Sequence, residues 1–141
     1  MSLPVVVHSR NAFEETMEIL DHSGGGLKGV VFHCFSGSAE EAKRVLERGY
    51  YVSFTGVVTF KNAEKTREAA KVVPLDRLMV ETDCPYMSPE PVRSQKPNEP
   101  ALMVHTARFL AGLKGMEMED FARATTQTAA TFFNFSPAAT V

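Results

Sequence analysis

The chain has 141 residues, enough for one domain with its own core. Hydrophobic residues make up 44% and charged residues 23%, an ordinary globular balance that excludes a disordered chain. The formal net charge of −2 excludes a globally basic nucleic-acid binder, although a local cluster and a metal ion can hold DNA on an acidic chain. The two cysteines, Cys34 and Cys84, form no Cys-x-x-Cys pair, and each directly follows a candidate metal ligand. That spacing predicts free thiols in a reducing compartment. No apolar run approaches the ~20 residues needed to span a bilayer. The opening Met1-Ser2-Leu3-Pro4 lacks the basic and apolar regions of a secretory signal. A soluble, cytoplasmic chain is expected.

Short β-rich runs alternate with helical patterns. Val5-Val6-Val7 is β-branched and follows a proline, which a strand's first residue tolerates. From Ala12 to about Asp21 the period turns helical, with Phe13, Met17 and Leu20 on one face. Gly24-Gly25-Gly26 should end that helix, and no Gly-Lys-Ser/Thr follows to make a phosphate-cradling loop. Gly29 to Phe32 is the second strand candidate. Ser38 begins a helix with Glu41 three residues on, a capping box, and Ala42, Val45 and Leu46 give it an apolar stripe. Gly49 stands where a C-cap glycine belongs. Tyr50 to Phe54 is the third strand candidate, and Glu64 to Val73 a helix stopped by Pro74. Leu78-Met79-Val80 is the fourth strand candidate. A proline-rich segment runs from Pro85 to Pro100, which suits the first turn of a helix whose face carries Met103, Ala107 and Leu110. Glu117 to about Asn134 reads as two short helices ending in Phe132-Phe133.

Regular strand-helix alternation predicts parallel strands joined by right-handed crossovers. Four such units fit a small open α/β sheet or half of an eight-stranded barrel. A complete barrel takes ~250 residues, so this chain is expected to be too short to close one.

The chemistry collects at the strand ends. His8 ends the first strand, His33 the second, and Asp83 sits just past the fourth after Glu81-Thr82. Catalytic groups of parallel α/β folds gather at the carboxyl ends of strands. Two imidazoles and a carboxylate converging there suit a divalent metal with an open position for water. Such a metal lowers the pKa of its water and polarises a phosphoryl or carbonyl oxygen. Each residue alone also has a plain structural reading: a hydrogen-bonded loop histidine, or an Asp in an Asp-Cys-Pro turn. Their equivalent placement on separate strands favours the joint metal site. His22 and His105 fall in helical or loop patterns and read as structural or surface residues.

At these strand ends the sequence resembles the TatD family of metal-dependent deoxyribonucleases. Leu3 to Ala12 (LPVVVHSRNA) resembles the family's fifth strand, and Phe32-His33-Cys34-Phe35-Ser36-Gly37 its sixth. Thr55 to Asn62 resembles the loop after the seventh strand, and Glu81-Thr82-Asp83-Cys84-Pro85-Tyr86 the eighth. Asn98-Glu99-Pro100 resembles the segment before the last helices. The match runs in order over nearly the whole chain, so residues 1–141 are read as one TatD-like hydrolase domain, the C-terminal half of a (β/α) TIM-type barrel.

The resemblance implies hydrolysis of DNA phosphodiesters, often 3′-to-5′ on single strands, with zinc, magnesium or manganese as the divalent cofactor. By motif position it implies that His8 and His33 ligate the second metal of a two-metal site. Asp83 would ligate the first and orient or deprotonate the attacking water. Two ions ~3.5–4 Å apart stabilise both the entering and the leaving oxygen at phosphorus. Arg10, Arg93 and Lys96 are candidate phosphate contacts, and Tyr86 and Phe60 candidate base-stacking platforms. A solvated cation and a loop-packing aromatic are the alternatives.

The sequence also departs from the family. The family's His-x-His pair is absent, since the four histidines stand at 8, 22, 33 and 105. The bridging glutamate of the fourth strand is absent too. Family members carry Arg-Gly where this chain has Arg93-Ser94-Gln95-Lys96. A half-barrel exposes two sheet edges, which invite pairing with another chain. A homodimer, a partner supplying the N-terminal half, and truncation of a longer gene are all compatible with this. Two further readings stay open beside the nuclease: a metal-dependent amide or ester hydrolase of the same superfamily, and a catalytically incomplete assembly subunit.

Overall fold

The computed structural model describes residues 3–23 and 27–136. Met1-Ser2 and the Gly24-Gly25-Gly26 stretch, on which two of the expectations fell, lie outside the described residues. Four strands, β1 (Val5–His8), β2 (Val30–His33), β3 (Tyr51–Phe54) and β4 (Leu78–Val80), pair in the order β1-β2-β3-β4. Every pairing is parallel, as the alternation predicts. Helices α1 (Phe13–His22), α2 (Ala39–Glu47) and α3 (Glu64–Val72) are the crossovers. Helices α4 (Met103–Leu113) and α5 (Met118–Phe133) follow the last strand. Among the described residues no helix is long and apolar enough to cross a membrane.

The two faces of the sheet are covered unequally. Side chains alternate between faces along a strand. Val30 and Phe32, Val52 and Phe54, and Leu78 enter one large core with Met17 and Leu20 of α1, Val45 of α2, Ala69 of α3, Leu110 of α4 and Phe121 of α5. Each large side chain here contributes ~1.5–3 kcal/mol by leaving water. The aromatic rings meet at angles: Phe32 and Phe54 both receive Phe35 edge-on, at centroid distances of 6.4 and 6.2 Å. The opposite face holds a smaller cluster, in which Phe132 of α5 covers Val31 and Met79. Val6 remains 55% exposed on β1. Period-2 alternation places His8, His33, Ser53 and Glu81 on this second, less covered face, away from the main core.

Local signals in the sequence explain most element ends. Ser38 Oγ accepts from the Glu41 amide, and the Glu41 carboxylate accepts from the Ser38 amide, closing the capping box of α2. At its other end Gly49 adopts φ +72°. Its amide donates to the Leu46 carbonyl and the Tyr50 amide to the Val45 carbonyl, the paired bonds of a Schellman cap. Pro100 opens a short 3-10 turn, Pro100–Leu102, that runs directly into α4. Met103, expected on the buried face with Ala107 and Leu110, stays 39% exposed at the start of α4.

The C-terminal segment differs from expectation. It forms one helix of 16 residues, α5, not two short ones. No glycine or proline interrupts residues 118–133, and two of the threonine hydroxyls bond back to helix carbonyls. Thr125 Oγ1 donates to the Phe121 carbonyl, while Thr128 Oγ1 donates to the Ala124 and Leu75 carbonyls. The Leu75 bond ties α5 to the turn that leads into β4. Asn134, at φ 56°, ends the helix in the left-handed conformation.

Ser38→Ala removes one half of the capping box and is expected to lower unfolding stability by about 1 kcal/mol, read from urea denaturation. Gly56→Ala should cost more, about 1–3 kcal/mol by overpacking. A Cβ there would stand 2.6 Å from the Met87 carbonyl oxygen and 3.1 Å from Pro89 Cα, both backbone atoms. The same denaturation measurement checks it.

Candidate metal centre at the carboxyl end of the sheet

The β1–β2 register sets His8 directly beside His33. Their ring centroids are 5.8 Å apart. His33 is half-buried; His8 is exposed at the sheet edge. Asp83 arrives from the turn after β4, and its Oδ1 lies 3.5 Å from His33 Nε2. The other nitrogen of that ring, Nδ1, lies 2.6 Å from Glu81 Oε2. An ionised carboxylate only accepts, so Nδ1 is the nitrogen that donates to Glu81, and Nε2 is the one left facing Asp83, where a bound cation would take its lone pair. Glu81 Oε1 accepts in turn from the Cys34 amide at 2.7 Å. One carboxylate at the end of β4 thus grips two consecutive residues at the end of β2.

The chain bends sharply to allow this. Cys34 has φ 49°, a left-handed conformation unusual for a residue with a side chain. Phe35 then returns to the sheet, its amide donating to the Ser53 carbonyl at 3.0 Å and its ring entering the core. Gly37 completes the turn because a Cβ there would sit 2.5 Å from the Phe35 ring. The His-Cys-Phe-Ser-Gly run is therefore a packing unit as well as a source of a ligand. Cys34 Sγ lies 3.3 Å from Thr55 Oγ1, and burial pushes its thiol pKa up. Both cysteines are free.

Two ligands held ~2.1 Å from one tetrahedral ion stand roughly 3.4 Å apart. The separation of His33 Nε2 and Asp83 Oδ1 therefore fits two corners of a single site. A carboxylate behind the ligating imidazole is also the usual supporting arrangement of metal-bound histidine. His8 does not complete the set. Among the described residues, no group of three or more His, Cys, Asp or Glu side chains is placed to hold a metal ion. The physical reason is positional: β1 is the edge strand, and its terminal His8 lies on the far side of His33 from Asp83. The residues present fit part of a metal site.

The candidate phosphate contacts separate into two places. Arg10 is exposed in the loop after β1. Arg93 and Lys96 are exposed in the proline-rich segment and line one cleft with Phe60 and Tyr86. Phe60 is not free to stack on a base from that side, because the Arg93 guanidinium lies over its ring, 3.4 Å from the centroid. His22 Nδ1 bonds the Glu18 carbonyl in α1, a helix-surface role. Glu81 is a residue of the candidate site that the sequence motif contained without a stated role. Its signal was the two-residue spacing from Asp83.

The TatD related DNase family model matches residues 1–134. The chain belongs to this family. Among its relatives, the Escherichia coli K12 protein named uncharacterized metal-dependent hydrolase YcfH is 46% identical over 134 residues, 95% of this chain and 50% of its own length. The Erwinia billingiae protein named 3′-5′ ssDNA/RNA exonuclease TatD is 35% identical over 127 residues, 87% of this chain and 49% of its own length. Among solved structures, that of YJJV, a TatD homolog from Escherichia coli K12, superposes with a TM-score of 0.83 at 32% identity. It covers 95% of this chain and 51% of that one. The chain spans about half the length of the curated relatives it matches. Four parallel strands with crossover helices are thus a partial barrel.

Glu81→Ala should release the His33 ring without unfolding the sheet. Long-range proton–nitrogen NMR is expected to show a fixed Nδ1–H tautomer in the parent chain and tautomer averaging in the variant. Where the chain binds zinc or manganese, affinity should fall about 10- to 100-fold by calorimetry.

Proposed function

We propose that this chain carries part of the active site of a metal-dependent hydrolase that cleaves phosphodiester bonds of single-stranded DNA. The observation that carries this reading is the orientation of His33. Its Nδ1 is held by Glu81, and its Nε2 is aimed at Asp83 across a ligand-to-ligand distance. His33 Nε2 and the Asp83 carboxylate would hold a divalent ion, with His8 near enough to join a fuller site. The ion, when bound, supplies a water of lowered pKa and a positive charge against the phosphoryl oxygens. Asp83 would orient the attacking water and accept its proton. Glu81 keeps His33 in the tautomer whose free lone pair faces the site, and positive charge from Arg10 offsets the phosphate charge as the strand approaches. The name of the Erwinia billingiae relative supports a single-stranded nucleic acid and 3′-to-5′ direction. The free thiols support a reducing, cytoplasmic setting.

A second reading follows from one observation: fewer than three ligands converge among the described residues. In that reading the remaining donors come from a further segment or a second chain, and this chain alone is inactive.

The test is release of nucleotides from single-stranded DNA with magnesium or manganese, comparing the parent chain with Asp83→Asn. A loss of at least about 100-fold in the variant is expected if Asp83 acts as base and ligand. No release by the parent chain would favour the second reading. Equal release by both would remove Asp83 from the mechanism. Cleavage of a simple aryl ester but not of DNA would favour the amide or ester alternative.

A further inference from the structure

Immediately beyond Asp83 the chain builds a second concavity, with a volume of about 310 Å³. That is at the lower end of the ~300–1,000 Å³ typical of small-ligand sites. Phe60, Pro85, Tyr86, Ser88, Arg93 and Lys96 line it. Arg93 lies over the face of Phe60. A guanidinium stacked in this way is held flat, with its N–H edge and outer face still available. Among the described residues neither Arg93 nor Lys96 has a carboxylate partner, whereas Arg44, Arg48, Arg67 and Arg123 each have one. Two cations therefore face the cleft with their charge uncompensated.

Tyr86 is 68% exposed, yet its backbone is fixed at both ends. Its amide donates to the Asp83 carbonyl at 2.8 Å, and its carbonyl accepts from Asn98 Nδ2 at 2.6 Å. Asn98 is itself buried. The segment is pinned again where the Glu90 amide donates to Thr59 Oγ1 at 2.8 Å and Ser88 Oγ donates to the Gln95 carbonyl at 2.5 Å. A large aromatic ring left in water on a fixed backbone is a platform for which only the side chain remains to be ordered. An acidic peptide would use the two cations but leave that ring without a partner. A nucleotide uses both.

We propose that this cleft is a one-nucleotide subsite for single-stranded nucleic acid, with the base stacked on Tyr86 and the phosphate held by Arg93 and Lys96. It rests on the nuclease reading above and deepens it: the nucleotide held here neighbours the phosphodiester presented to His33 and Asp83. A base paired within a duplex cannot offer its face to Tyr86, so the subsite selects single strands.

The test is fluorescence anisotropy of a fluorescein-labelled oligothymidylate with the full chain in EDTA, which removes any contribution from metal or turnover. Tyr86→Ala is expected to weaken binding about 5- to 100-fold, and Tyr86→Phe to stay within about twofold of the parent. Arg93→Ala should lower the slope of log affinity against log salt by about 0.7, one phosphate contact on a single strand. Lys43→Ala, on α2, should change neither. An abasic oligomer of equal length should bind the parent and Tyr86→Ala alike. All substituted side chains are exposed, and circular dichroism verifies that the variants fold. Unchanged binding in Tyr86→Ala, equal affinity for abasic and thymidylate strands, or no binding by the parent chain would each overturn the subsite. DNA cleavage that needs Asp83 but ignores Tyr86 would sink the subsite alone. Tyr86-dependent binding together with metal-dependent cleavage of an aryl ester but not of DNA would sink the nuclease reading and leave the subsite standing.

Discussion

The carboxylate of Glu81 reaches from the end of β4, past β3, to the end of β2. There it accepts from the imidazole of His33 and the amide of Cys34. Much of the upper surface depends on that grip. It fixes which nitrogen of His33 is free and compensates the left-handed turn at Cys34, whose amide would otherwise point into a half-buried site without an acceptor. It also ties together two strands that are not neighbours in the sheet. Hydrogen bonds to ionised acceptors are roughly twice as strong as neutral ones. The pair of bonds therefore holds the site more firmly than loop packing alone would. From there the turn hands over to hydrophobic forces, as Phe35 drops into the core against Phe32 and Phe54.

A second anchoring principle governs the segment after Asp83. It has no regular structure between Glu81 and Glu99, yet its backbone groups find partners in Thr59, Gln95, Asn98 and Asp83. Gly56 permits the closest approach, leaving room for the Met87 carbonyl and Pro89 where any side chain would stand. The same close fit links the cleft around Arg93 to the turn after β3, so neither can shift without the other. Proximity of the metal-facing pair and the cleft is thus built into one rigid unit.

Much of the architecture was legible in the sequence because its causes are local. The β-branched runs, the Ser38–Glu41 box and Gly49 each act within a few residues, and each appears where the pattern put it. The ends of β1 and β2 at His8 and His33 followed from the same logic. What escaped was non-local. The Glu81–His33 bond spans 48 residues of chain, and nothing in a strand pattern reveals which histidine nitrogen a distant carboxylate will occupy. The stacking of Arg93 on Phe60 was hidden for the same reason, each residue having been read separately. The single helix α5 differs from the two short helices expected. Its run of threonines is a weak helix former in isolation, but the hydroxyls bond back to the helix and to Leu75, and packing of Phe121 and Phe132 decides the outcome. That His8, His33 and Asp83 form no single closed set among the described residues is a matter of sheet order, which strand-end bookkeeping does not encode.

The spatial order of the strands repeats their order along the chain. Every new strand therefore pairs with the one made just before it, and every crossover helix is in place before the next strand arrives. During synthesis, which proceeds from the N-terminus at ~5–20 residues per second, none of the four described strands need be inserted between two already paired. The sheet can grow at one edge, one unit at a time, as a vectorial assembly. The Glu81 carboxylate, the segment after Asp83 and helices α4 and α5 all reach back over finished structure. They follow β4, so the geometry of the site is set only when the four described strands already stand.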